Sequence, residues 1–172
     1  MATVYIKYEA ILDKLYTDYF LHNSVSTVSS SHWKKWHKQF IVSKNDGSYR
    51  LLCGGFGDFK PRHLLNNIMQ SPQIVVLKAL MRKYNACKKI IKYGYKIAKK
   101  QKRIIDIDCV KQMLSVNLLF KYNLLNNIRM VVVIGDGYGF MTALIKKCCP
   151  ESTVISVNLG KTLFFDVFYT RK

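Results

Sequence analysis

Five consecutive apolar residues, four of them β-branched, run straight into a glycine-rich loop. Met130-Val131-Val132-Val133-Ile134 is followed at once by Gly135-Asp136-Gly137-Tyr138-Gly139. A short β-branched run bounded by turn residues predicts a strand buried on both faces. Glycine at every second position lets the backbone turn tightly and lets a ligand come close to it. Residues 140–147 then predict a helix, closed by Pro150. Thr153-Val154-Ile155-Ser156-Val157 predicts a second buried strand, and Asn158-Leu159-Gly160 a turn. Leu163, Phe164, Val167 and Phe168 recur at helical spacing, so a helix is expected to follow. Strand, glycine loop, helix and strand make a β-α-β unit, which places this part of the chain in the α/β class. The spacing Gly135-x-Gly137-x-Gly139 differs from the dinucleotide pattern G-x-G-x-x-G, whose third glycine comes one residue later.

The first two thirds read as mainly helical. Tyr8, Ile11, Leu12, Leu15, Tyr19 and Phe20 mark one face of a helix over 3–21. Residues 23–31 are serine-rich and read as a loop, before a helix that carries Trp33, Trp36 and Phe40 on one face. Asn45-Asp46-Gly47-Ser48 is a turn signal, with a short strand-like run over 49–53 behind it. Gly54-Gly55-Phe56-Gly57 reads as a turn, because the Lys-Ser/Thr of a phosphate loop is missing. Pro61 suits the first turn of a helix to about Gln70, and Ser71-Pro72 the start of another. Residues 73–103 and about 105–121 read as helices, the first with a bend at Gly94. Leu-Leu-Asn-Asn-Ile occurs at 64–68 and again at 124–128, but the flanks differ, so no repeat is inferred. The domain organisation read from this pattern is a mainly helical region over 1–125 and the β-α-β region over 126–172.

Several function classes drop out. The five cysteines, Cys53, Cys87, Cys109, Cys148 and Cys149, are odd in number and contain no Cys-x-x-Cys pair. They read as reduced thiols of an intracellular, cytoplasmic protein. None of His22, His32, His37 and His63 stands at ligand spacing from a cysteine, so no metal site is expected. Asp106 and Asp108 are two apart and diverge on a helix, which argues against a paired-carboxylate site. No run of 18 apolar residues exists and the first residues do not form a signal peptide, so no transmembrane segment is expected.

The residues around the glycine loop resemble a known family. Val131-Val132-Val133-Ile134-Gly135-Asp136-Gly137-Tyr138-Gly139 is similar to the first motif of class I S-adenosylmethionine-dependent methyltransferases. The order that follows is Gly137-Tyr138-Gly139, a short helix, the strand Thr153–Val157, Asn158-Leu159-Gly160-Lys161 and an aromatic helix ending Phe168-Tyr169. It resembles the sugar O-methyltransferase branch. The likeness covers about residues 128–170.

It implies a helical N-terminal region followed by the first β-α-β unit of a Rossmann-like methyltransferase sheet, incomplete because about seven strands are expected and two are present. It implies S-adenosylmethionine as cofactor and a sugar or glycan hydroxyl as methyl acceptor. By position, Gly135, Asp136, Gly137, Tyr138 and Gly139 would shape the cofactor loop, with Leu159 beside it. Asn158 would stand where the family's ribose-binding acid stands. Val133 replaces the acid usual two residues before the first glycine. A truncated relative is the expectation, and the likeness assigns no catalytic base.

Charge supports a different reading. Lys and Arg number 28 against 10 Asp and Glu, a formal net charge of +18. Eleven of the positive charges fall within residues 78–103, a stretch without a single acid. Leu77, Leu80, Met81, Tyr84, Ile91 and Ala98 mark the apolar side of that stretch, so its basic residues form an opposite face. Such a face suits water, or the phosphates of nucleic acid or another anionic surface. The alternative to a methyltransferase is therefore a small basic binding protein without catalysis.

Overall fold

The structure, a computed structural model, describes residues 2–22, 38, 40–51 and 64–170. Its elements in chain order are α1 (Ala2–Tyr16), β1 (Val42–Asn45), β2 (Ser48–Leu51), α2 (Leu64–Lys83), α3 (Lys88–Lys100), α4 (Ile107–Lys121), β3 (Met130–Ile134), α5 (Phe140–Cys148), β4 (Thr153–Val157) and α6 (Gly160–Thr170). The chain is thus mixed α/β, with small two-stranded sheets. The expected helix around Trp33 and Trp36, the Gly54–Gly57 turn and the helix start at Pro61 lie outside the described residues.

Spatial contact divides the chain into two units that do not follow sequence order. The first draws on Met1–Phe56, Ile134–Gly139 and Ser156–Lys172, the second on Gly57–Val133 and Phe140–Ile155.

In the first unit α1 lies against α6, and a π-helical turn over Thr17–Leu21 extends α1. The core here is aromatic: Phe40, Tyr49, Tyr138, Phe164, Phe165, Phe168 and Tyr169 are buried around Leu12 and Val42. Rings meet edge-on, as in Phe40–Phe165 at 4.7 Å between centroids and Tyr49–Phe164 at 5.3 Å. That geometry sets ring edges against ring faces and adds to the gain from burial. β1 and β2 pair antiparallel, Asn45 opposite Ser48. The two residues between them, Asp46 (φ 48°) and Gly47 (φ 73°), are both left-handed. This is the hairpin turn for which Asp-Gly is suited, because its twist matches that of the strands. Asp13 of α1 accepts from the Lys44 ammonium at 2.7 Å and from the Tyr49 hydroxyl, tying the hairpin to the helix. The Lys44 bond holds the Asp13 carboxyl below its usual range, and burial pushes the Tyr49 phenol up to about 12.

The second unit has an aliphatic core. α3 packs on α5 and α4, and α2 on α4, burying Leu77, Met81, Ile90, Ile97, Val110, Met113, Val116, Phe140 and Leu144. Gly94 sits where α3 crosses α4. A β-carbon there would lie 2.3 Å from Met113 Sδ and 3.4 Å from a Phe140 ring carbon. Gly94 thus leaves room for the Met113 side chain, and the helix continues through it to Lys100.

The break in the expected 73–103 helix falls earlier. Asn85 is left-handed (φ 47°), Asn85 N donates to Arg82 O, and Ala86 N donates to Met81 O, both at 3.0 Å. That pair of bonds is a Schellman stop, which closes α2 at Lys83. Lys102 ends α3 and Asn123 ends α4 in the same way. The basic stretch 78–103 thus lies on two helices. A helix start at Ser71-Pro72 is also not found: α2 runs through Pro72, at the cost of one main-chain hydrogen bond.

β3 and β4 form the second two-stranded sheet. Thr153 N donates to Arg129 O at 2.8 Å and Gly135 N to Val157 O at 2.9 Å, so the strands run in the same direction. Both strands occupy the expected residues, but neither is buried on both faces. Val133 is buried, whereas Met130, Val132 and Ile134 are 56%, 52% and 79% exposed. Ile155 and Val157 on β4 are also exposed. A β-branched run specifies a strand, but it does not say whether a second layer covers it.

Candidate functional site

The loop Gly135–Gly139 leaves the carboxyl end of β3, and α5 begins at the next residue. Four of its five residues have positive φ: Gly135 (73°), Gly137 (55°), Tyr138 (81°) and Gly139 (65°). The alternate glycines thus have a conformational cause, since this backbone region costs an ordinary residue roughly 1–2 kcal/mol. Tyr138 adopts it without being glycine. Its ring is buried against Phe165 and edge-on to Tyr169, 5.1 Å away, and these contacts hold it there. Strained residues of this kind are found where surrounding packing over-determines the backbone.

The glycines are not equivalent. A β-carbon on Gly135 or Gly137 would meet nothing within 4 Å, so that stretch of backbone is open to a ligand. On Gly139 it would lie 2.4 Å from Thr170 Cγ2 and 2.8 Å from the Asp166 carbonyl oxygen. Gly139 is there for the approach of α6.

Asp166 organises the site. It is 1% exposed. Its Oδ1 accepts from Gly139 N at 3.0 Å, and its Oδ2 accepts from Asn158 Nδ2 at 2.8 Å and from Ser156 Oγ at 3.2 Å. One carboxylate thereby joins the end of the glycine loop to the end of β4. Burial pushes its carboxyl up to about 6, and the nearby Asp136 charge adds to the rise. The three donated hydrogen bonds act the other way, because they favour the ionised form.

The residues expected from sequence differ in their placement. Gly135 and Gly137 present open backbone. Asp136 and Tyr138 are buried, and Gly139 is held by Asp166. Asn158 turns inward: its Nδ2 serves Asp166, and its Oδ1 accepts from its neighbour Leu159 N at 2.9 Å. Leu159 is 37% exposed, and with Ile134 and Val157 it gives the strand ends an apolar rim. Asp166 and Ser156 were missed by the sequence reading. The available signal was a lone acid inside Phe164-Phe165-Asp166-Val167-Phe168-Tyr169. An acid in so apolar a helix is either solvent-facing or bonded in the core.

Among the described residues, no group of three His, Cys, Asp or Glu could hold a metal ion. Nor is any helix long and apolar enough to cross a membrane. Cys87, Cys109, Cys148 and Cys149 are free thiols. Burial pushes the Cys109 thiol up to about 12 and the Cys148 thiol up to about 11, which is the reverse of what a nucleophile needs. No family model, curated protein or solved structure matches the chain.

Proposed function

We propose that the chain carries the cofactor-binding β-α-β unit of a Rossmann-like, S-adenosylmethionine-dependent methyltransferase, of the kind that methylates sugar hydroxyls. The observation that carries this reading is the glycine loop. It follows the carboxyl end of the first of two parallel strands, where open α/β sheets take their ligands. Two of its three glycines have no neighbour in the space a side chain would fill.

The residues fit the cofactor in part. Gly135 and Gly137 offer close main-chain approach, and Ile134, Val157 and Leu159 offer apolar contact for a nucleoside. Asn158 fits the ribose less well, because both ends of its amide are engaged within the protein. When bound, the cofactor supplies an electrophilic methyl group. The chain's own residues hold the loop: Asp166 fixes Gly139, and Val157 fixes Gly135.

Isothermal titration calorimetry with S-adenosylmethionine tests the reading. The expected result is saturable binding with Kd below about 1 mM, or about 4 kcal/mol. Gly137→Val should abolish it, because the added side chain occupies the open backbone. No heat at millimolar cofactor, or equal binding by Gly137→Val, overturns the proposal.

A further inference from the structure

In the second unit, the C-terminal ends of α2 and α4 flank an open cleft of about 590 Å³. It is lined by Lys83, Tyr84, Asn85, Asn117, Phe120 and Lys121. The size is within the range of small-molecule sites. Tyr84 is 56% exposed, and Lys83 Nζ sits 5.7 Å from its ring centroid. Asn117 Oδ1 accepts from Cys87 N at 2.9 Å, which fixes the amide at the wall. The cleft therefore combines an exposed aromatic ring, amide groups and a cation from each side.

The chain leaves the cleft directly into α3. There Ile90, Gly94, Ile97 and Ala98 are buried, while Lys88, Lys89, Lys92, Lys96, Lys99 and Lys100 are exposed. No acid interrupts the helix. Six ammonium groups on one short face repel one another, and a polyanion laid along them relieves that repulsion.

We propose that this cleft and the exposed face of α3 bind single-stranded nucleic acid, with a base stacked on Tyr84 and phosphates along the lysines. The division of labour has a physical cause. Helix C-termini, which flank the cleft, disfavour phosphate and suit a base, whose edge carries donors. Exposed aromatic rings beside a cationic track are the general means of holding single strands without reading sequence. A membrane surface fits less well. An interfacial helix inserts an apolar face, and the apolar face of α3 is spent on the core of its own unit.

The test is fluorescence anisotropy of labelled 12-mer oligouridylate and oligothymidylate with the full chain, over a salt series and without cofactor. Its failure is therefore separate from failure of the methyltransferase reading. Binding is expected to weaken linearly on a log–log salt plot. Lys92→Glu with Lys96→Glu should lower the slope by about 1.4, at roughly 0.7 per phosphate contact. Lys14→Glu with Arg50→Glu makes the same change in net charge at exposed positions of the first unit and should leave the slope alone. Tyr84→Ala should weaken binding about 5- to 150-fold without changing the slope, the equivalent of one lost stack. Circular dichroism should show all variants folded, since each change is at an exposed position. Absence of oligonucleotide binding at low salt overturns the proposal. So does binding to phosphatidylserine vesicles alone, or equal slope loss in both double variants.

Discussion

The Asp166 carboxylate accepts the Gly139 main-chain N–H at 3.0 Å, across 27 residues of sequence. The same carboxylate takes Asn158 and Ser156, so the glycine loop and the end of β4 share one anchor. Whatever the loop binds, its shape depends on a residue of α6.

Asp166→Asn tests that anchor. Asparagine keeps one acceptor for Gly139, but its NH2 faces the Asn158 NH2, so at least one buried donor is left opposed. A cost of about 1–3 kcal/mol is expected at low pH. The pH dependence has a definite sign. The carboxyl is raised in the folded state, to about 6. Its contribution to stability is therefore full below the unfolded value near 3.8 and is lost as pH rises through about 6. The stability difference between the wild type and Asp166→Asn should shrink between pH 4 and pH 7, by at most about 1.4 kcal/mol per pH unit. Denaturant melts across that range check it, and a difference that holds constant or grows removes Asp166 from the role.

Gly139→Ala should cost more than Gly137→Ala. At Gly137 the added methyl meets open space, and only the left-handed backbone is penalised, by about 1–2 kcal/mol. At Gly139 it also meets Thr170 Cγ2 and the Asp166 carbonyl. Thr170→Ser removes that methyl and keeps the hydroxyl that bonds Asp166 O. If the main chain is the real obstacle, Gly139→Ala with Thr170→Ser stays nearly as unstable as Gly139→Ala alone. Rescue in thermal melts to the level of Gly137→Ala would locate the obstacle in the Thr170 side chain, since the left-handed backbone is penalised at both positions.

These contrasts show what the sequence could reveal. β3 and β4 were legible to the residue, because a β-branched run between turn residues has few other uses. The Asp46-Gly47 turn was legible because that pair suits two consecutive left-handed residues. The identical pentapeptide at 64–68 and 124–128 shows the limit: the first copy opens α2, and the second lies in the turn after α4. Asn85 stops a helix through its own φ, which periodicity does not record. Asp166 showed only as a lone acid in an aromatic helix, and its partners Gly139 and Ser156 are brought to it only by folding. The inward turn of Asn158 depends on Asp166 and was hidden with it.

Asp106 should titrate with the opposite sign to Asp166. Its Oδ1 caps α4 by accepting from Cys109 N at 2.8 Å, and its Oδ2 pairs with Arg103 at 2.6 Å with both side chains buried. Burial works to raise this carboxyl, but the Arg103 charge and the Cys109 N–H outweigh it, so the pKa is lowered. Its contribution is present above the unfolded carboxylate value and is lost as pH falls through the lowered folded one. Asp106→Asn keeps a good N-cap but removes the charge that Arg103 faces. A loss of about 3–5 kcal/mol is expected at pH 7, narrowing as acid is added. A loss below about 1 kcal/mol at pH 7 would mean that only the cap matters.

Lys102→Gly should stabilise the protein. Lys102 is exposed and left-handed (φ 56°), at the position where α3 ends in its Schellman stop. Lys102 N donates to Lys99 O at 3.1 Å, and Arg103 N to Ala98 O at 3.0 Å. Glycine meets those bonds without the clash between Cβ and carbonyl. The greater freedom of glycine in the unfolded chain offsets part of the gain. A net gain of about 0.5–1 kcal/mol should raise Tm by roughly 1–4 °C in a chain of this size. Asn85→Gly should gain less, because asparagine tolerates the left-handed region better than lysine does. Differential scanning calorimetry of the two variants decides it. A larger gain from Asn85→Gly, or a fall in Tm with Lys102→Gly, would mean that the lysine side chain contributes more to the end of α3 than its backbone costs.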